Sequence, residues 1–190
     1  MHSFETLPEG YREYDAIDLQ TNKKLMVLVN VLAIVIGVAL VVPMLWIVPF
    51  SVSFEGGKGM YFCRLAVLFV LMVVYMILHE LVHGAAMKLC GTKKVTYGFK
   101  GVYAFAGSDD YYRKKPYIFI ALAPVVLWGA VIAVATLLVP REWFWVAYML
   151  QVSNLSGAAG DLYVTVRFSR FPKDILIKDY GVGMTVYAKE

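Results

Sequence analysis

The sequence predicts an all-α integral membrane protein: a bundle of four transmembrane helices, with room for a small β-hairpin in the cytoplasmic loop between helices 2 and 3. Three observations carry that expectation. Of 190 residues, 60% are hydrophobic and only 17% charged, a balance that belongs to lipid rather than to a soluble core. Long apolar runs recur at about 25–50, 61–89, 116–140 and 143–168, each long enough at 1.5 Å per residue to cross roughly 30 Å of hydrocarbon. Most of the charge lies outside these runs, in the two ends of the chain and the connections.

In chain order, Met1 to Asn22 reads as a polar cytoplasmic arm without the apolar core of a signal peptide. The first span is expected to stay as an anchor; Asn30 and Gly37 should face other helices, and Pro43 should bend it. Gly56, Gly57 and Gly59 make Ser51–Met60 a tight turn. In the second span Arg64 is placed to snorkel to the interface, and Gly91 marks a helix stop. Between spans two and three, residues 95–99 and 102–105 are β-rich around Lys100-Gly101, which reads equally as a surface hairpin or as a loop with incidental aromatics. A hairpin edge there could hold an extended peptide by strand addition. Asp109 and Asp110, just beyond, are acidic candidates for metal binding, although their loop position favours solvated turn residues. Pro124 should kink the third span, and Arg141-Glu142 makes a short turn before the fourth. The division is therefore an arm (1–22), a membrane domain (23–168) and a cytoplasmic tail (169–190) that either forms a hairpin or packs on the membrane face.

The distribution of cations orients this arrangement. Fifteen of the eighteen Lys and Arg residues fall before residue 25, in the 88–115 segment and from Arg167 onward, and only Lys58, Arg64 and Arg141 on the other side. Both termini are thus expected in the cytoplasm of a bacterial-type cytoplasmic membrane. The net charge of +4 then calls for anionic lipid and no nucleic acid. Cys63 and Cys90 lie in or at the end of one apolar run and make neither a disulfide framework nor a Cys-type zinc site; Cys90 reads as an interfacial thiol.

The second span contains His79-Glu80-Leu81-Val82-His83. Four residues apart on a helix, the two imidazoles share a face and can reach one metal ion, with Glu80 beside it. Zinc so held would acidify a water, and the carboxylate could take its proton as the water attacks an amide carbonyl. Ionisable groups in an apolar span cost roughly 2.5–3.5 kcal/mol each on insertion scales, so function rather than packing is the default explanation. The remaining histidine, His2, lies in the arm, which leaves a carboxylate as third ligand. Asp161 is the acidic residue within the fourth span. It and His79 both lie about 26 Å along their helices from the outer face, so they share a depth. Two imidazoles, one carboxylate and an open position form a catalytic zinc set, one ion per chain. Asn154, seven residues before Asp161 on nearly the same face, reads either as a substrate or oxyanion contact or as an interhelical amide.

With His79-Glu80-Leu81-Val82-His83, Ala121-Leu122-Ala123-Pro124 and Asn154 to Asp161, the chain from about Leu25 to the tail resembles the integral-membrane zincin peptidases. These form a domain family of unknown function that is distantly similar to site-2 proteases. The resemblance implies intramembrane or juxtamembrane hydrolysis of peptide bonds in a membrane protein or peptide substrate, with His79, His83 and Asp161 as zinc ligands and Glu80 as general base. The chain departs from the site-2 pattern after Asn154, where Gly157 and Gly160 precede Asp161 and Tyr163 follows Leu162. The rival reading is a noncatalytic membrane scaffold that binds metal or partners. An intact Glu80, which plain metal binding does not require, argues against it.

Overall fold

The computed structural model describes residues 3–18, 21–100, 103–181 and 183–189. The chain begins with strands β1 (Ser3–Phe4) and β2 (Tyr11–Asp18), followed by helix α1 (Lys23–Ile47), a 3-10 turn at Phe50–Phe54, and helix α2 (Gly57–Leu89). Strands β3 (Thr96–Lys100), β4 (Tyr103–Gly107) and β5 (Tyr111–Arg113) then lead into helix α3 (Lys114–Leu138). A second 3-10 turn (Arg141–Trp143), helices α4 (Phe144–Gly157) and α5 (Ala159–Ser169), and strands β6 (Leu176–Asp179) and β7 (Gly183–Lys189) complete it.

The fold is mostly helical but not all-α. Five strands form one antiparallel sheet in the order β1-β5-β6-β7-β2, and β3 and β4 form the hairpin expected between the second and third apolar runs. The five-stranded sheet was hidden in the sequence because its strands come from both ends of the chain. β2 pairs with β7 from Tyr11↔Lys189 to Asp18↔Gly183, with a bulge between Glu13 and Asp15, so β2 has no partner within reach of a local pattern. The tail does form a hairpin, with Leu176 opposite Tyr187 and Asp179 opposite Met184. His2 and the hairpin connection at Gly101 and Val102 lie outside the described residues.

Three helices, α1, α2 and α3, are long and apolar enough to cross a membrane, which is consistent with a membrane protein. The fourth expected span is instead two helices, α4 and α5, separated at Ala158, whose φ and ψ are −81° and 15°. Two features account for the break. Ser153 and Ser156 donate their hydroxyls to the carbonyls of Met149 and Val152 (2.9 and 2.8 Å), back-bonds that bend a helix, and the glycines at 157 and 160, which flank the break, have weak helix propensity. The hydropathy of Ala and Gly made the segment look continuous. α2 starts at Gly57, four residues before the apolar run, and stops where expected. Thr92 N–H donates to the Met87 carbonyl and Gly91 N–H to that of Lys88, with Gly91 at φ 105°, a Schellman ending.

The chain divides into two compact units. One comprises Met1–Leu28, Leu78–Pro124 and Asp161–Glu190. Its core is built from Ile17, Met87, Tyr112, Ile120, Phe168, Ile175, Ile177 and Val186, each at most 2% exposed. The Tyr117 ring meets those of Phe168 and Tyr112 at 5.5 and 6.4 Å. Arg167 of α5 ties down β2 through Asp15 at 2.6 Å.

The other unit comprises Val29–Ile77 and Val125–Gly160. Its apolar helices expose Trp46, Leu137 and Leu138, as lipid-facing residues would. Arg64 does not snorkel outward. It is buried, stacks over Trp143, and donates to the carbonyls of Ser53 (3.0 Å) and Glu55 (2.6 Å). A guanidinium presents several donors in a fixed fork, so the helix start and the 3-10 turn give it better partners than the interface would.

Candidate metal centre

The site is built within the first unit. α2 runs without a break from Gly57 to Leu89, so residues four apart stack on one face. The rings of His79 and His83 lie 4.9 Å apart, centroid to centroid, inclined at 76°. α5 brings Asp161 against them from its first turn, where the helix dipole favours a carboxylate. One Asp161 oxygen lies 3.5 Å from His79 Nε2 and the other 3.7 Å from His83 Nε2. The two imidazole side chains are each 12% exposed and Asp161 24%.

These separations decide whether the donors fit a zinc ion. With zinc–ligand bonds of about 2.0–2.1 Å, neighbouring ligand atoms of a tetrahedral set stand about 3.4 Å apart. The two His–Asp separations fall near that edge length and beyond good hydrogen-bond length, which is about 2.7–3.2 Å. His79, Glu80 and His83 also offer one ligand atom each within 4.8 Å of one another. The donor set therefore fits zinc: two imidazole nitrogens and a facing carboxylate, with Glu80 as a second carboxylate beside them.

Main-chain groups hold these side chains. His83 Nδ1 lies 3.0 Å from the Ile120 carbonyl of α3, which can only accept, so Nδ1 carries the proton and the Nε2 lone pair points toward Asp161. The Ala106 backbone N–H of β4 lies beside the Glu80 carboxylate. β3 closes on α2 at Gly84, where an added Cβ would stand 1.9 Å from Tyr97 Oη. A side chain directly after His83 would fit only if the Tyr97 ring moved aside.

A second polar group lies in the same unit. Tyr117 of α3 donates to Asp179 Oδ2 at 2.7 Å, and Gly181 N–H donates to Oδ1 at 2.8 Å. Burial lifts the Asp179 carboxyl above its ordinary value against the pull of these two bonds. Nearby, the Tyr112 hydroxyl pairs with Thr92 and Ser108, and burial pushes its pKa up to about 12. The other acidic candidates lie apart from this chemistry: Asp109 is 97% exposed on Lys178, and Asp110 N–H bonds Ser108 Oγ.

Of the residues singled out in the sequence, His79, Glu80, His83 and Asp161 come together. Asn154 belongs to the other unit and is fully buried. Its Oδ1 accepts from the Tyr75 hydroxyl at 2.7 Å, and its Nδ2 donates to the Val125 carbonyl at 3.3 Å. Cys63 and Cys90 are free thiols, the former exposed and the latter buried. Sequence reasoning missed the Ile120 carbonyl, the Ala106 N–H and the Tyr117–Asp179 pair. Main-chain groups carry no residue-type signal, and Asp179 is one tail carboxylate among several.

Two helix-borne imidazoles one turn apart, a carboxylate facing both, and a glutamate between them in sequence make a zincin-type centre. The chain belongs to the DUF3267 family, described as "Putative zincin peptidase", whose match covers residues 72–176, more than half of the chain. It is also similar to an "Uncharacterized 24.7 kDa protein in gap 5'region" from Pyrococcus woesei, at 28% identity over 118 residues. That match covers 60% of this chain and 51% of the relative, so the chain spans about half the length of the curated relative. No solved structure matches it.

Proposed function

We propose that this chain is a zinc-dependent peptidase that hydrolyses peptide bonds within or beside a membrane. His79, His83 and Asp161 are its metal ligands and Glu80 its general base. The observation that carries this reading is the Asp161 carboxylate set 3.5 and 3.7 Å from the Nε2 atoms of the two histidines. Chance matches to His-Glu-x-x-His are common, but a carboxylate brought from a separate helix to face both imidazoles is not part of the motif.

Zinc held by these three residues would supply a Lewis acid and a water acidic enough to attack an amide near neutral pH. The protein does the rest. Ile120 holds the His83 ring by its Nδ1–H. Glu80 stands beside the two imidazoles, with the Ala106 N–H of β4 close to its carboxylate, where it can take a proton from a water and pass it to the leaving amine. β4 thus reaches the site, and the edge of the β3–β4 hairpin suits an extended peptide added as a strand. The substrates are membrane proteins or peptides delivered from the bilayer. The excess of Lys and Arg in the loops on one side supports a topology with both termini in the cytoplasm of a bacterial-type membrane. A likeness in mechanism to site-2 proteases is part of the same proposal.

The test is metal content by elemental mass spectrometry on detergent-purified wild type, His79→Ala, Asp161→Ala and Glu80→Gln. About one zinc per chain is expected in wild type and Glu80→Gln, and little in the other two. Peptide hydrolysis should be lost in Glu80→Gln although its zinc is kept. Zinc that survives Asp161→Ala removes α5 from the ligand set. Wild type without zinc, or hydrolysis undiminished in Glu80→Gln, would favour a noncatalytic scaffold.

A further inference from the structure

In an α-helix each carbonyl receives the N–H of the residue four positions on. For Ile120 that residue is Pro124, inside α3. Proline has no N–H, and its ring crowds the carbonyl four residues back and tilts it out of the ladder. The Ile120 carbonyl is therefore the one in α3 that loses its helical donor to Pro124, and it is the carbonyl that lies 3.0 Å from His83 Nδ1. Ile120 itself is 1% exposed, so water cannot readily replace the missing donor. An unpaired carbonyl at such a site would cost about 1–3 kcal/mol.

We infer that Pro124 is a positioning residue of the metal centre. By withholding an N–H from the Ile120 carbonyl, it reserves that carbonyl for His83 Nδ1, which fixes the ring tautomer and presents the Nε2 lone pair on the side of Asp161. Pro124 is then part of the site rather than a packing accident. The same bond that satisfies the freed carbonyl orients the imidazole, so neither group is left to choose another partner. An ordinary helical residue at 124 would offer its own N–H to Ile120 and draw the carbonyl back along the helix axis, away from the histidine.

The inference rests on His83 as a metal ligand, and its test separates the two ideas by reading the ring without metal. Histidine-labelled protein in detergent is examined by nitrogen-15 NMR, metal-free and alkaline enough that the rings are neutral. Zinc affinity is measured in parallel by competition with a chelator. Three proteins are compared: wild type, Pro124→Ala, and a chain with the α-hydroxy analogue of alanine at 124, whose ester, like proline, lacks the N–H. Wild type and the ester chain should show His83 protonated at Nδ1. Pro124→Ala should shift the ring toward Nε2–H and bind zinc 10- to 100-fold more weakly, the usual effect of losing a partner behind a ligand. A His83 tautomer unchanged in Pro124→Ala overturns the inference, and so does an ester chain that loses the Nδ1–H form. If Pro124→Ala does not fold, the ester chain decides alone. If wild type shows Nδ1–H but binds no zinc, the proposed function fails while the placement of the proton stands.

Discussion

Gly84 follows His83 directly, and replacing it sets two effects of known size against each other. Alanine is the better helix former by about 1 kcal/mol, so on an open helix face Gly84→Ala would stabilise the protein. Here the new Cβ would stand 1.9 Å from Tyr97 Oη, 2.6 Å from Cζ and 2.9 Å from Cε1. Ordinary carbon–oxygen contact needs about 3.3 Å, so the ring must retreat by more than 1 Å, and overpacking of this kind costs about 1–3 kcal/mol. Tyr97 is 45% exposed and can give way in part, which favours the lower half of that range. The expected net change is a loss of up to about 1 kcal/mol. In a Tyr97→Ala background the obstacle is gone and the same substitution should stabilise by about 1 kcal/mol. The assay is a double-mutant cycle on reversible unfolding in mixed detergent–SDS micelles, with a coupling of about 1–2 kcal/mol expected from the reversal of sign. Equal stabilisation in both backgrounds would show that the Tyr97 ring does not rest on Gly84, and the packing of β3 against α2 would have to be redrawn.

Two further outcomes follow from buried polar groups. Arg64→Met keeps the apolar stem but loses two charge-assisted bonds to main-chain carbonyls; a loss of about 2–4 kcal/mol is expected in the same unfolding assay, and an unchanged midpoint would show the Arg64 contacts to be idle. Tyr112 ionises at about 12 in the folded chain against 10.0 ordinarily. Because its folded pKa is raised, its share of stability is whole below pH 10 and is lost as pH rises toward 12, by about 2–3 kcal/mol in all. Tyr112→Phe should therefore unfold with a shallower alkaline slope than wild type, and identical slopes above pH 10 would contradict the burial of that hydroxyl.

The sequence by itself determined what depends on residue type and local spacing. Three long apolar helices, the helix stop at Gly91 and the pairing of His79 with His83 all follow from patterns spanning a few residues to a few helical turns, whereas the β3–β4 hairpin is one of two even readings between which the structure decides. Asp161 could be matched to His79 from helix rise alone, and the structure sets the two side by side although the fourth run is broken at Ala158. Only the tertiary structure decided the rest. The five-stranded sheet joins Tyr11 to Lys189, and no periodicity reports a partner so far along the chain. Arg64 turned inward because two carbonyls of the preceding turn await it, and main-chain acceptors leave no mark on composition. Pro124 shows the division most plainly. Its ring announces that one carbonyl of α3 will lack a donor, but that His83 supplies the donor is settled by how α2 and α3 pack.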